Sequence, residues 1–421
     1  MHLSPQNRLL LLRVFRLLLA IWLLGIVSFS SAALQEPLVT SASPQPVSVA
    51  VFSSLERLSR LVDITYCVGN TGMWKPFKCA SRCNEFPTLT LETTWQTGIL
   101  MSDSCGFIAV DHGIPRPDAG EGNHDPLAEK AIIVAFRGTY SIANTIIDLS
   151  TMPQQYVPYP SPDDGGGKPP RKPSHRCDNC TVHSGFLASW RQARDVVLPE
   201  MKALRQKYPG YPIRLVGHSL GGAVAMLAAL EMRVSLGWWD TVVTTFGEPR
   251  VGNQELCDYL DAVFELSAAD EINAAEREYR RVTHADDPVP LLPPAEWGYS
   301  SHGGEFFISK KDLPPSVEDV LVCRGDYDEN CIARDEGRVV SVAADDSTDV
   351  LRTGEGQDAV AAERFNWIPA RFRLWQLFFA HRDYFWRLGL CVPGGDPANW
   401  GREKAEGGGG GGGEEAHSAE L

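Results

Sequence analysis

The stretch that most constrains this 421-residue chain is Ile213–Ala223, IRLVGHSLGGA. An apolar run of strand character, Tyr211–Val216, leads into it, and a helical pattern rich in Ala and Leu, Ala223–Arg233, leads out. Between them lies Gly-x-Ser-x-Gly. A turn this sharp forces its central residue into a strained conformation, so its close neighbours must lack side chains. Gly217 and Gly221 meet that requirement. Ser219 is then lifted above a sheet at a helix N-terminus, where N–H groups favour developing negative charge. A Gly-rich turn with a solvent-facing serine would carry the same five residues. The strand before it and the helix after it favour a nucleophile.

Around this turn the pattern alternates. AIIVAF at Ala131–Phe136, Thr241–Phe246 and Arg280–Thr283 read as strands, and Phe186–Tyr208 as a helix that Pro199 should kink. Strand–helix alternation predicts an α/β fold with a mostly parallel central sheet flanked by helices. Ser53-Ser54-Leu55-Glu56 offers a capping box for a helix with Leu55, Leu58, Leu61 and Val62 on one face. The expected organisation is a linker at 34–52 and a catalytic domain at 53–400, with insertions near 151–180 and 332–364. A Gly-rich acidic tail at 401–421 should be disordered.

Residues 1–33 order as a basic region, an apolar run and a small-residue site, which predicts a signal peptide cleaved after Ala33 and a secreted protein. An uncleaved signal anchor is the alternative. The formal net charge of −14 argues against a nucleic-acid partner. All ten cysteines follow Ala33, and an even count in an exported chain suggests disulfides.

A nucleophilic serine needs a base, and the base an orienting acid. After Ser219 come His284, His302, His381 and His417. His417 lies in the tail and His284 precedes the best acid. Spacing leaves His302 and His381 both open. Asp286 and Asp287 occupy the loop after the Arg280–Thr283 strand, where catalytic groups of open α/β sheets belong.

Six ordered motifs go further: FRGT at Phe136–Thr139, VHSGF at Val182–Phe186, GHSLGGA at Gly217–Ala223, TFGEPRVGN at Thr245–Asn253, DPVPLLPP at Asp287–Pro294, and HRDYF with GLC at His381–Phe385 and Gly389–Cys391. With these the chain resembles the fungal class 3 lipases, secreted α/β-hydrolases acting on triacylglycerol. The resemblance implies an α/β-hydrolase fold with Ser219 as nucleophile, Asp287 as acid and His381 as base, and makes His183, His218 and His302 structural. It implies acyl transfer through an acyl-enzyme, with no cofactor, no metal and no obligate protein partner. It also pairs Cys67 with Cys391, Cys79 with Cys83, and Cys323 with Cys331.

His175, Cys177, Cys180 and His183 have a spacing that could be read as zinc ligands. The exported context and the place of His183 in VHSGF favour a Cys177–Cys180 bridge instead. Cys105 and Cys257 either pair or remain buried thiols. Asn179-Cys180-Thr181 is the single N-glycosylation sequon, and a disulfide beside it would make it a poor acceptor.

Acyl transfer creates an oxyanion, for which donors must be waiting. One is expected from the N–H of Leu220, the other from Thr139 at the end of the AIIVAF strand. On a helical wheel Ile142, Ile146 and Leu149 cluster, flanked by Ile147, with Ser141, Asn144, Thr145 and Asp148 opposite. An ordinary core-facing helix has the same pattern. Its place directly after Thr139 points to a lid, and the resembled family has one there. Hiding four aliphatic side chains is worth roughly 6–12 kcal/mol as an upper figure, so such a lid could stay shut in water. The expected substrate is therefore a neutral lipid ester at an oil–water interface. A feruloyl esterase of the same fold would need no apolar lid, a phospholipase would share it, and an inactive lipid-binding protein would not need the triad.

Overall fold

In the computed structural model, described residues are 44–98, 103–113, 129–139, 153–156, 177–266, 274–335, 380–393 and 396–397. They belong to one compact unit that begins at Pro44. Its main sheet is built from β1 (Gln45–Pro46), β2 (Leu89–Gln96), β3 (Cys105–Asp111), β4 (Ala131–Phe136), β5 (Ile213–His218), β6 (Thr241–Phe246), β7 (Tyr279–His284), β8 (Glu305–Ile308) and β9 (Val320–Val322). The order across the sheet is β1-β9-β8-β7-β6-β5-β4-β3-β2. Strands β4 to β8 are mutually parallel, and antiparallel strands close both edges.

Strand β4 shows why the sheet sits where it does. All six of its residues are buried, as a strand covered on both faces requires. Ile132, Val134 and Phe136 enter one apolar cluster with helices α2 (Ser184–Lys207), α3 (Leu220–Leu230) and α4 (Gln254–Phe264). Ala131, Ile133 and Ala135 enter the other, with helix α1 (Val49–Thr65) and Tyr384–Trp386. The period of two thus divides a single strand between two helical layers. Helix α3 is apolar all round and fully buried, the expected environment for a helix without a polar face.

The boundaries correct several sequence expectations. The linker expected over 34–52 ends before Gln45, because β1 pairs with β9 and α1 already begins at Val49. Ser48 caps that helix, its hydroxyl accepting from Val51 N–H at 3.3 Å. The Ser53–Glu56 box therefore lies inside the helix. Glu56 instead accepts from Trp386 Nε1 at 3.1 Å and pairs with Arg60. Helix α2 continues through Pro199. The expected insertions are partly ordered too: Pro153–Gln155 pairs with Thr181–His183, and Ile332 is buried beside Cys331. The signal region, the tail and the remainder of both insertions lie outside the described residues.

Four disulfides join Cys67 to Cys391, Cys79 to Cys83, Cys177 to Cys180, and Cys323 to Cys331. The third removes two members of the possible zinc set. Cys105 and Cys257 are separate buried thiols, which settles the alternative left open for them.

Candidate active site

The C-terminal ends of β4 to β7 converge on one crest. Strand β5 ends at His218, and Ser219 follows with φ 57° and ψ −129°, a positive φ rare for a residue with a side chain. Holding it costs of order 1–3 kcal/mol, so the surroundings must over-determine it. They do: Ser219 N–H donates to Phe246 O at 3.0 Å, and the Ser219 carbonyl accepts from Gly222 N–H at 2.8 Å. A side chain at Gly217 would run into the Gly221 carbonyl. Helix α3 starts at Leu220, whose N–H, as the first of the helix, has no acceptor within it.

Asp287 follows β7. It is buried, whereas its neighbour Asp286 is at the surface beside Lys311, 2.7 Å away. Asp287 lies 3.0 and 2.9 Å by its two oxygens from His381 Nδ1, and also accepts from Tyr384 OH and from Val289 N–H, the last at 2.9 Å. Burial alone would raise its pKa. The charge and hydrogen bond of His381, with the bonds from Tyr384 and Val289, outweigh it and hold the carboxyl below its usual range. At neutral pH it is a carboxylate. Burial and the same carboxylate push the Tyr384 hydroxyl up, so it stays a donor.

His381 is fully buried, and its Nε2 has no hydrogen-bond partner among the described residues. Ser219 Oγ is likewise buried and unpartnered. Two such orphans are expensive in a protein interior unless each awaits a partner. His381 stacks on His218, the residue before Ser219, with ring centroids 4.5 Å apart. Gly247, just past β6, makes the close assembly possible. It has φ 59°, and a Cβ there would lie 2.5 Å from Tyr384 Oη, 2.7 Å from His381 Cε1 and 3.0 Å from Asp287 Oδ2.

The second open histidine is engaged elsewhere. His302 Nε2 lies 3.1 Å from Glu248 Oε1, and its Nδ1 lies 2.8 Å from Gly303 O. His183 is buried and stacks on Phe186 with centroids 4.2 Å apart. Thr139 is half-buried at the end of the β4 crest. Next to it, a Cβ at Gly138 would sit 3.0 Å from Ser219 Cβ, so this strand end lies directly against the serine. Asn179 is exposed, with its backbone carbonyl accepting from Asn253 Nδ2 at 2.9 Å. Ile142, Ile146, Ile147 and Leu149, expected as a lid, lie outside the described residues.

The crest thus joins a strained serine after a central strand of a mostly parallel sheet to a buried Asp–His pair. Residues 133–297 match the family described as Lipase (class 3). The chain is 79% identical over 407 residues to Lipase A of Sodiomyces alcalophilus, covering 97% of this chain and 98% of that protein. The chain belongs to the class 3 lipase family. It is also 57% identical over 386 residues to the secreted mono- and diacylglycerol lipase 2 of Gibberella zeae, covering 90% and 91% of the two chains. Among solved structures, the Lip2 lipase of Yarrowia lipolytica superposes with a TM-score of 0.61 at 27% identity, over 83% of this chain and 98% of that one. The fold is thus the α/β-hydrolase fold of fungal lipases, and this lipase is a hydrolase of carboxylic esters.

The motifs carrying Ser219, Asp287 and His381 were legible in the sequence. Gly247 and Tyr384 fall inside two of the quoted motifs, TFGEPRVGN and HRDYF, but the sequence reading assigns neither of them a role.

Proposed function

We propose that this lipase is secreted and hydrolyses acylglycerols through Ser219, His381 and Asp287. The observation that carries the reading is the pair of buried orphan atoms, Ser219 Oγ and His381 Nε2, beside a histidine already fixed by a carboxylate. Ser219 Oγ attacks the ester carbonyl while His381 Nε2 takes its proton. Asp287 keeps the imidazole in the Nδ1–H tautomer and stabilises its charged form without itself taking the proton, consistent with its lowered pKa. The oxyanion is received by the Leu220 N–H and by Thr139. The protonated His381 then releases the alcohol, and water, activated by the same nitrogen, hydrolyses the acyl-enzyme.

Acylglycerol as substrate rests on the name of the Gibberella zeae relative, which specifies mono- and diacylglycerols. Triacylglycerol hydrolysis is supported by the sequence spacing of Ile142, Ile146, Ile147 and Leu149, a pattern that suits a lid opened by an oil surface. Secretion is supported by the same relative and by the order of residues 1–33. Among the described residues no helix is long and apolar enough to cross a membrane.

The test is Ser219→Ala, assayed on emulsified mono-, di- and triacylglycerols. Hydrolysis should vanish while thermal unfolding stays cooperative, and turnover retained by a folded variant would overturn the serine. The wild-type panel separates partial glycerides from triacylglycerol. Following a short-chain ester through its solubility limit tests the lid: a jump in rate as the emulsion forms is expected, and saturation below that limit argues against it.

A further inference from the structure

A second chain of hydrogen bonds runs behind the Asp287–His381 pair and ends on the same histidine. Tyr66 caps the C-terminus of α1, and its hydroxyl lies 2.6 Å from His218 Nδ1. His218 Nε2 lies 2.8 Å from the backbone carbonyl of His381. A carbonyl can only accept, so Nε2 carries the proton. Burial first, then the nearby His381, pushes the His218 pKa down to about 3, so the ring is neutral. Its Nδ1 is then a bare acceptor, and the Tyr66 hydroxyl donates to it. All three polar groups are satisfied in a single direction, from Tyr66 through His218 to His381.

His381 needs such support because no strand holds it. It lies in a turn, later in the chain than the last strand of the sheet. The last turn of α1 and the residues after it grip the chain again further along: Asp63 accepts from Gly389 N–H at 2.9 Å, and Cys67 is bonded to Cys391. Among the described residues, the Tyr66–His218 chain is what reaches the backbone of His381 itself from that side, and it does so through the residue that precedes Ser219. The same contact therefore registers His381 against the serine turn. The stacked ring of His218, tilted 30° from that of His381, fills the space in which the imidazole could otherwise rock.

We propose that Tyr66 and His218 are positioning residues that hold the backbone and ring of His381 in register with Ser219. This rests on the reading of His381 as the base. Neither residue hydrogen-bonds Ser219 Oγ or His381 Nε2, which have no hydrogen-bond partner among the described residues. Their contribution is alignment, and a displacement of about 1 Å in a reacting group can cost on the order of 100-fold in rate.

Four variants and one control test it on a soluble short-chain ester: His218→Leu, His218→Gln, Tyr66→Phe, the double variant Tyr66→Phe with His218→Leu, and His381→Ala. His218→Leu should lower kcat on the order of 10- to 100-fold with KM within about twofold, because alignment and not ground-state binding is lost. His218→Gln can still present an N–H to the His381 carbonyl and should recover most of that kcat. Tyr66→Phe, which keeps the ring and loses one hydroxyl, should lower kcat less, and should add nothing on top of His218→Leu because the chain is already broken. Thermal unfolding identifies which variants are folded, and Tyr66→Phe keeps the test decisive if His218→Leu does not fold. Wild-type kcat in Tyr66→Phe and in folded His218→Leu, a loss confined to KM, or full additivity in the double variant would overturn the relay. Activity surviving in His381→Ala would instead overturn the assignment of the base.

Discussion

Ser219 and His381 are held in opposite ways. The serine is fixed locally: a strand before it, a helix after it, glycines beside it, and a backbone bond to the adjacent strand end. The histidine is fixed from afar. Its ring meets Asp287, 94 residues earlier, and its backbone meets His218, 163 residues earlier. The segment that carries it is tied by Cys391 to Cys67, by Gly389 to Asp63, by Trp386 to Glu56, and by Arg382 to Asp396 and to the Leu388 carbonyl. A strained serine can therefore be specified by a handful of consecutive residues. The proposed base is instead held by a disulfide and by hydrogen bonds gathered from several parts of the chain, any of which can be altered without unmaking the turn.

That contrast can be broken most sharply at the two histidines. His381→Ala should reduce kcat on the order of 10,000-fold or more. His302→Ala should leave kcat within about tenfold and act mainly on stability, because His302 is engaged by Glu248 and Gly303 away from the serine. Side-by-side kinetics with unfolding curves decide it, and a larger loss of turnover at His302 would reverse the assignment.

The longest tether comes next. Cys67 and Cys391 are 324 residues apart. Replacing both by Ser should lower stability by about 5 kcal/mol if the cross-link acts by restricting the unfolded chain. Because the released segment carries the proposed base, activity should fall at temperatures below the new unfolding midpoint. Loss of stability with undiminished activity would show that the other contacts hold His381 unaided.

On the locally built side, Thr139→Val should cost about 100- to 1000-fold in kcat if its hydroxyl receives the oxyanion. Rates unchanged from wild type would leave only backbone N–H groups in that role.

The smallest expected effect sharpens the distant side. Burial pushes the Asp63 pKa from 3.8 up to about 6, against the Gly389 hydrogen bond and the charges of Arg82 and Arg382. With the native pKa above the unfolded one, the folded protein binds more protons in that interval, so this group's contribution to stability falls as pH rises through it. Asp63→Asn removes the titration. Relative to wild type, the variant should gain up to about 3 kcal/mol between roughly pH 4 and pH 7. Denaturation at a series of pH values checks this, and parallel curves would mean that Asp63 does not titrate there.

Reading the chain without its structure succeeded where chemistry is written into neighbours. The apolar run of β4 announces a strand buried on both faces, and Thr241–Phe246 is a strand with the same bounds in both readings. It was less successful at the ends of elements. The Ser53–Glu56 box has every local credential of a helix start, yet Ser48 caps a helix that begins earlier, because β1 has already brought the chain alongside β9. Strand β7 is fully buried although it carries Arg280 and Arg281. Arg281 pairs with Glu305 on the adjacent strand at 3.3 Å, a compensation that composition cannot reveal.

What the sequence determined by itself was the candidate nucleophile and its sharp turn at Ser219, since Gly217, Ser219 and Gly221 act within one turn of chain. The tertiary structure decided which histidine and which aspartate meet. His302 and His381 are indistinguishable by spacing, as are Asp286 and Asp287 by turn propensity. Folding buries Asp287 against His381, leaves Asp286 at the surface beside Lys311, and ties His302 to Glu248. A buried carboxylate keeps its charge only where donors converge on it, and that convergence comes from residues far apart in the chain.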